Sequence, residues 1–83
     1  MDINTFNKYS KVQQLLLIME SGRLVLEKKD ETQLFKLYVY KLFYVEVIYD
    51  IDKNKVLNIN TPDMEYIVDE YLDSLSVKDI LDL

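Results

Sequence analysis

Gln33-Leu-Phe-Lys-Leu-Tyr-Val-Tyr-Lys-Leu-Phe-Tyr-Val-Glu-Val-Ile-Tyr-Asp-Ile-Asp52 decides the fold. The stretch has no Gly, Pro or Ala and is dense in Val, Ile, Tyr and Phe, residues that suit a pleated sheet. It is too long for one strand and predicts a hairpin folding back near Lys41, although no turn residue marks the place. A loop at Tyr40–Leu42 sets Val39 opposite Phe43, Leu37 opposite Val45 and Phe35 opposite Val47, all on one apolar face. On the other face the same register sets Tyr38 opposite Tyr44 and Lys36 opposite Glu46, an aromatic pair and a pair of opposite charges. A slip of one residue moves every side chain to the other face.

Outward from this hairpin, Arg23–Lys29 reads as a preceding strand, joined by the polar turn Asp30-Glu31-Thr32, with Leu26 opposite Phe35 and Leu24 opposite Leu37. Asp52-Lys53-Asn54 makes a tight loop, since Asn tolerates the left-handed conformation. It leads to a strand at Lys55–Asn60 with Leu57 and Ile59 inward. Before the strands, a helix capped by Asn4 or Thr5 runs to Ser21 and stops at a left-handed Gly22. Its apolar stripe is Tyr9, Val12, Leu15, Leu16 and Met19, with Phe6, Leu17 and Ile18 on the flanks. After the strands, Thr61-Pro62-Asp63 starts a helix whose inner face is Met64, Ile67, Val68, Tyr71, Leu72 and Leu75. Ser76 and Asp79 suggest a cap for a short last turn. The expected architecture is α+β: a four-stranded antiparallel meander with an N-terminal and a C-terminal helix on one face.

The chain has 83 residues, room for one domain with a limited core, yet 49% of it is hydrophobic. Part of that apolar surface is therefore expected to be buried against another chain. Net charge is −5, which opposes nucleic acid and anionic lipid as partners. There is no Cys and no His, so no disulfide framework, common zinc site or usual catalytic triad can be built. The longest early apolar run, Leu15–Met19, is too short for a signal-peptide core or a membrane span, which sets a cytoplasmic protein as the expectation. The single glycine excludes a Gly-rich phosphate loop. Asp50-Ile51-Asp52-Lys53-Asn54 opens like an EF-hand loop, but Lys55 replaces the glycine and Thr61 the bidentate Glu. A solvated hairpin tip is the reading kept, and no metal or cofactor is expected.

Leu34, Lys36, Tyr38, Tyr40, Tyr44, Glu46 and Ile48 are expected on an open sheet face, more apolar than a solvated face needs to be. Such faces mark interfaces, and Tyr is favoured there. Tyr38, Tyr44 and Ile48 are the expected anchors. Phe6, Leu17 and Ile18 offer a second interface on the helix flank, and Asp63, Glu65, Asp69, Glu70 and Asp73 an acidic rim that steers a basic partner. Function is thus expected to be non-enzymatic protein binding, by a homodimer or by complex formation with a larger, basic protein. In size and charge the chain resembles small acidic proteins that neutralise a larger one: immunity proteins, antitoxins and phage-encoded inhibitors of bacterial defence. No motif is shared, so the resemblance transfers no site residue. The alternative is a single-stranded nucleic-acid binder stacking bases on the same tyrosines, with Lys41–Val47 echoing the RNA-recognition motif without its glycines.

Overall fold

A computed structural model describes residues 1–72. The elements are α1 (Ile3–Lys8), α2 (Lys11–Ser21), β1 (Arg23–Lys29), β2 (Gln33–Tyr40), β3 (Phe43–Asp50), β4 (Lys55–Asn60) and α3 (Met64–Tyr71). The strands form one antiparallel sheet in the order β1-β2-β3-β4. The α+β class and the meander are as the sequence predicts. Leu75 and the short turn expected from Ser76 lie outside the described residues.

The register of the central hairpin differs from the prediction by one residue. Tyr40 pairs with Phe43, Tyr38 with Val45, Lys36 with Val47 and Leu37 with Glu46. The loop is therefore Lys41-Leu42, with Lys41 at φ 54° and Leu42 fully exposed. A positive φ at the first of two loop residues matches the twist of the flanking strands, so the shorter loop wins without a glycine. Both alternations of β2 and β3 are rich in apolar residues, and either register sets most apolar residues opposite apolar ones. The pattern alone could not choose.

The slip also changes the layering. One face gathers Tyr38, Tyr40, Phe43, Val45 and Val47 under α1 and α2, with Phe6 and Ile18 in the same core. The opposite face gathers Leu26, Phe35, Leu37 and Tyr44 under α3, with Ile67 and Tyr71. The helices thus lie on opposite faces of the sheet, not on one as the sequence reading placed them. A sheet apolar on both sides needs cover on both sides.

The edges differ too. β1 is irregular between Leu24, opposite Tyr38, and Leu26, opposite Leu37. This sends the two leucines to different faces. In β4 a shift between Asn58 and Val56 leaves Leu57 in a bulge, while Val56 and Ile59 pack on the first core. Such bulges help keep edge strands from pairing with other chains. Asn54 takes φ 52°, the conformation expected of it in the β3–β4 loop.

The N-terminal helix is broken where one continuous helix was expected. Asp2 caps α1 by accepting from Thr5 N at 2.8 Å. Ser10 caps α2 in a reciprocal box with Gln13, whose Oε1 accepts from Ser10 N at 3.1 Å. Gly22 ends α2 in an extended conformation, φ −82° and ψ 152°, not a left-handed one. A Cβ there would lie 2.7 Å from the carbonyl oxygen of Ile18, so close approach rather than positive φ calls for glycine. The N-cap of α3 is Asp63, which accepts from Tyr66 N at 2.9 Å, whereas Thr61 Oγ1 accepts from Asn7 Nδ2.

Lys41→Gly tests the hairpin. A non-glycine residue at such a φ costs about 1–2 kcal/mol, while glycine adds roughly 0.5–1 kcal/mol of chain entropy. The expected result is a gain of up to about 1 kcal/mol in urea unfolding. A clear loss of stability would show that the loop is not strained at Lys41.

Candidate interaction surface

The seven residues expected on one open tyrosine-rich face fall on two. Leu34, Lys36, Tyr38 and Tyr40 share the α1–α2 side, and Tyr44, Glu46 and Ile48 the α3 side. Tyr40 is buried in a triad with Phe6 and Phe43, ring centroids 5.6 Å apart in each pair. Tyr38 is half-buried on the edge of that core. Its phenol is pushed up from the ordinary range by burial first, then by Tyr49 and Glu27. Lys36 is half-buried with Nζ 5.6 Å from the Tyr49 ring centre, and Leu34 is half-buried beside them. Tyr44 packs against the second core, and Ile48, half-buried, pairs with Phe35. The expected continuous platform does not form, because the register slip divides it and helices cover both parts.

Glu46 has the most unexpected surroundings. It is fully buried, and its carboxylate accepts from Tyr71 Oη at 2.7 Å, Tyr66 Oη at 2.9 and 3.1 Å, and Asn60 Nδ2 at 3.0 Å. Burial and the carboxylate raise both phenols, Tyr66 to about 12 and Tyr71 further. The sequence reading gave Glu46 to solvent beside Lys36. In the fold, the tyrosines of α3 take that role, and the polar cluster pins α3 to the sheet. A buried charge held by three donors is a structural fastening; its oxygens are already occupied by protein.

The acidic rim lies along α3. Asp63, Glu65, Asp69 and Glu70 are all exposed, Asp63 acting as the cap. Glu70 is partly neutralised by Lys28, whose Nζ lies 3.3 Å from its carboxylate and donates to its carbonyl oxygen at 2.7 Å. Asp73 lies outside the described residues.

On the helix flank, Phe6 and Ile18 are core residues, and Leu17 is half-buried against the same core. Of the stripe expected to face the core, Leu15 packs against it and the other four turn outward. Val12 is 67% exposed, Leu16 60% and Met19 81%, with Tyr9 at 38%. The cause is the break between α1 and α2. It leaves the last carbonyls of α1 short of i+4 partners, though Phe6 O still accepts from the cap residue Tyr9 N at 3.1 Å. Gln14 Nε2 donates to Phe6 O at 3.0 Å, and Gln14 is buried. Lys11 Nζ reaches the carbonyl oxygen of Leu57 at 3.2 Å. These anchors turn the Lys11–Gln14–Ile18 side inward and carry Val12, Leu16 and Met19 outward. A shallow groove lined by Tyr9, Gln13, Leu16, Leu17 and Glu20 runs beside the exposed ridge.

Together these features define a small α+β domain with an apolar helix ridge on one side and an acidic helix on the other. No protein-family model, curated protein or solved structure matches the chain. Among the described residues, no helix is long and apolar enough to cross a membrane.

Proposed function

We propose that this protein is a non-enzymatic protein–protein interaction module that docks through the outer face of α2. The observation that carries the proposal is the exposure of Val12, Leu16 and Met19 along one line of a well-capped helix. A single exposed apolar residue needs no explanation, whereas a contiguous row beside a groove marks a contact surface. The acidic α3 lies across the sheet from this ridge, so it is free to steer approach or to meet a second, basic partner. The base-stacking alternative finds less support, because Tyr40 is buried and Tyr44 lies against the core beneath α3.

The test compares the natural chain with the double variant Leu16→Ser, Met19→Ser. Both sites are exposed, so folding stability should change by no more than about 0.5 kcal/mol per site. Tagged chain, co-expressed with an untagged copy, is recovered from its host and its companions are identified by mass. A protein, self or other, held by the natural chain and lost by the double variant is the expected result. Equal recovery from both chains, or no companion at all, would sink the assignment.

A further inference from the structure

We infer that the occupant of the α2 ridge is a second copy of this chain, packed helix against helix in an antiparallel two-fold contact centred on Leu16. This inference rests on the docking reading above and names its partner.

The first support is spacing. Val12, Leu16 and Met19 of α2 recur at intervals of four and three, the narrow seam by which one helix packs on another, and Tyr9 lies just ahead of the helix. The second is shape. The ridge and the groove beside it share Leu16, so a two-fold axis there lowers each ridge into the other copy's groove. Such an isologous contact needs one surface complementary to itself, and ridge-into-groove packing supplies it.

The third is charge. Residues 1–22 carry Asp2, Glu20, Lys8 and Lys11, whose signs cancel, so the whole net charge of −5 falls on residues 23–83. The α1–α2 unit is thus a neutral region of an acidic protein, where two copies approach without net repulsion. Because α3 lies across the sheet, its acids point away from such a contact. A basic partner would find little there to recognise.

The fourth is polar matching. With Leu16 on the axis, Glu20 of one copy comes within about 1.5 Å, one residue's rise, of the height of Gln13 of the other on the same flank of the seam. Gln13 spends its Oε1 on the α2 cap. Its Nε2, which has no partner among the described residues, is left to donate to the Glu20 carboxylate across the axis. A seam this short lies at the small end of stable interfaces, so a dissociation constant on the order of micromolar is expected.

The experiment is sedimentation equilibrium of the purified chain from low micromolar to submillimolar concentration, with three variants. The natural chain should approach twice its monomer mass. Gln13→Glu keeps the capping box, since Glu serves at that position, yet brings two like-charge contacts to the axis. It should weaken the dimer about tenfold while leaving the helical signal unchanged. The chain has no cysteine, so an introduced thiol reports on geometry without interference. Leu16→Cys should oxidise to a linked dimer. Val12→Cys should not, because its symmetry mate lies about 12 Å away along the helices, beyond disulfide reach.

A chain that stays monomeric at submillimolar concentration overturns the pairing. So does a dimer indifferent to Gln13→Glu, or one linked equally through both cysteines. If the chain is monomeric but still captures another protein in a ridge-dependent way, only the identity of the partner has failed. If nothing depends on the ridge, the docking reading has failed as well.

Discussion

Phe6→Ala is expected to remove about 3–5 kcal/mol of stability, the range for emptying a buried aromatic site. Phe6 is fully buried and is the sole buried residue of the six-residue α1. Its ring meets Tyr40 and Phe43 at centroid distances of 5.6 Å, in tilted and edge-on arrangements that add to simple burial. A six-residue helix has little stability of its own, so docking of this one side chain holds α1 in place. Losing the ring also exposes the Gln14 amide, whose partner is the carbonyl of Phe6. A domain of this size has roughly 4–12 kcal/mol in all, so the variant should be partly unfolded at room temperature or close to it. Urea unfolding followed by far-ultraviolet circular dichroism measures the loss. Met19→Ala, on the exposed side of α2, should change stability by less than about 0.5 kcal/mol in the same assay. A small loss for Phe6 together with a large one for Met19 would mean that the inner and outer faces of these helices are exchanged.

That exchange is the orientation the sequence suggests, and the reason is local. The stripe Tyr9, Val12, Leu15, Leu16 and Met19 is the most apolar side of an unbroken helix. Ser10 and Gln13 end that continuity by capping a new helix, a signal visible in the Ser-x-x-Gln spacing. Once the chain breaks, Gln14 turns inward and its amide adds a second bond to the Phe6 carbonyl, which also accepts from Tyr9 N. Periodicity sees apolar residues; it does not see a break in the helix or a polar side chain that bonds across it.

The strands, their order and the turn at Asp30-Glu31-Thr32 were legible because β-branched and aromatic runs alternate with polar breaks. The register was not. The apolar pairs fit either register, and the Tyr38–Tyr44 and Lys36–Glu46 pairs that favour the other one are worth only a few tenths of a kcal/mol to about 1 kcal/mol each on a solvated face. The fold gives Glu46 to Tyr66 and Tyr71, residues 20 and 25 positions downstream, a contact that no strand pattern announces. The candidate site moved for the same reason. Covering both sheet faces buried or half-buried the expected tyrosines and left apolar residues open on the helices, Val12, Leu16 and Met19 on α2 and Met64, Val68 and Leu72 along α3.

The buried carboxylate makes the second large prediction. Tyr71→Phe leaves the ring in place but removes the shortest of the bonds to Glu46, 2.7 Å. A hydrogen bond to a charged, buried group contributes about 1.5–3 kcal/mol, and no water-accessible donor stands ready to replace it. The expected loss is therefore about 1.5–3 kcal/mol, larger than for Tyr66→Phe, because Tyr66 is 36% exposed and water can take over part of its role. The same bonds dictate the alkaline limb of stability. A free tyrosine ionises near pH 10, whereas Tyr66 in the folded chain is pushed up to about 12 and Tyr71 higher still. Between those limits the folded chain holds more protons than the unfolded one, so stability falls as pH rises. It should be at its full value below about pH 10 and decline progressively through about pH 12. Tyr71→Phe removes one of the two phenols, so its stability should start lower and fall less steeply over that window. Urea midpoints across the window, for the natural chain and the variant, separate the two effects. Parallel alkaline limbs would show that Tyr71 does not keep its proton for Glu46.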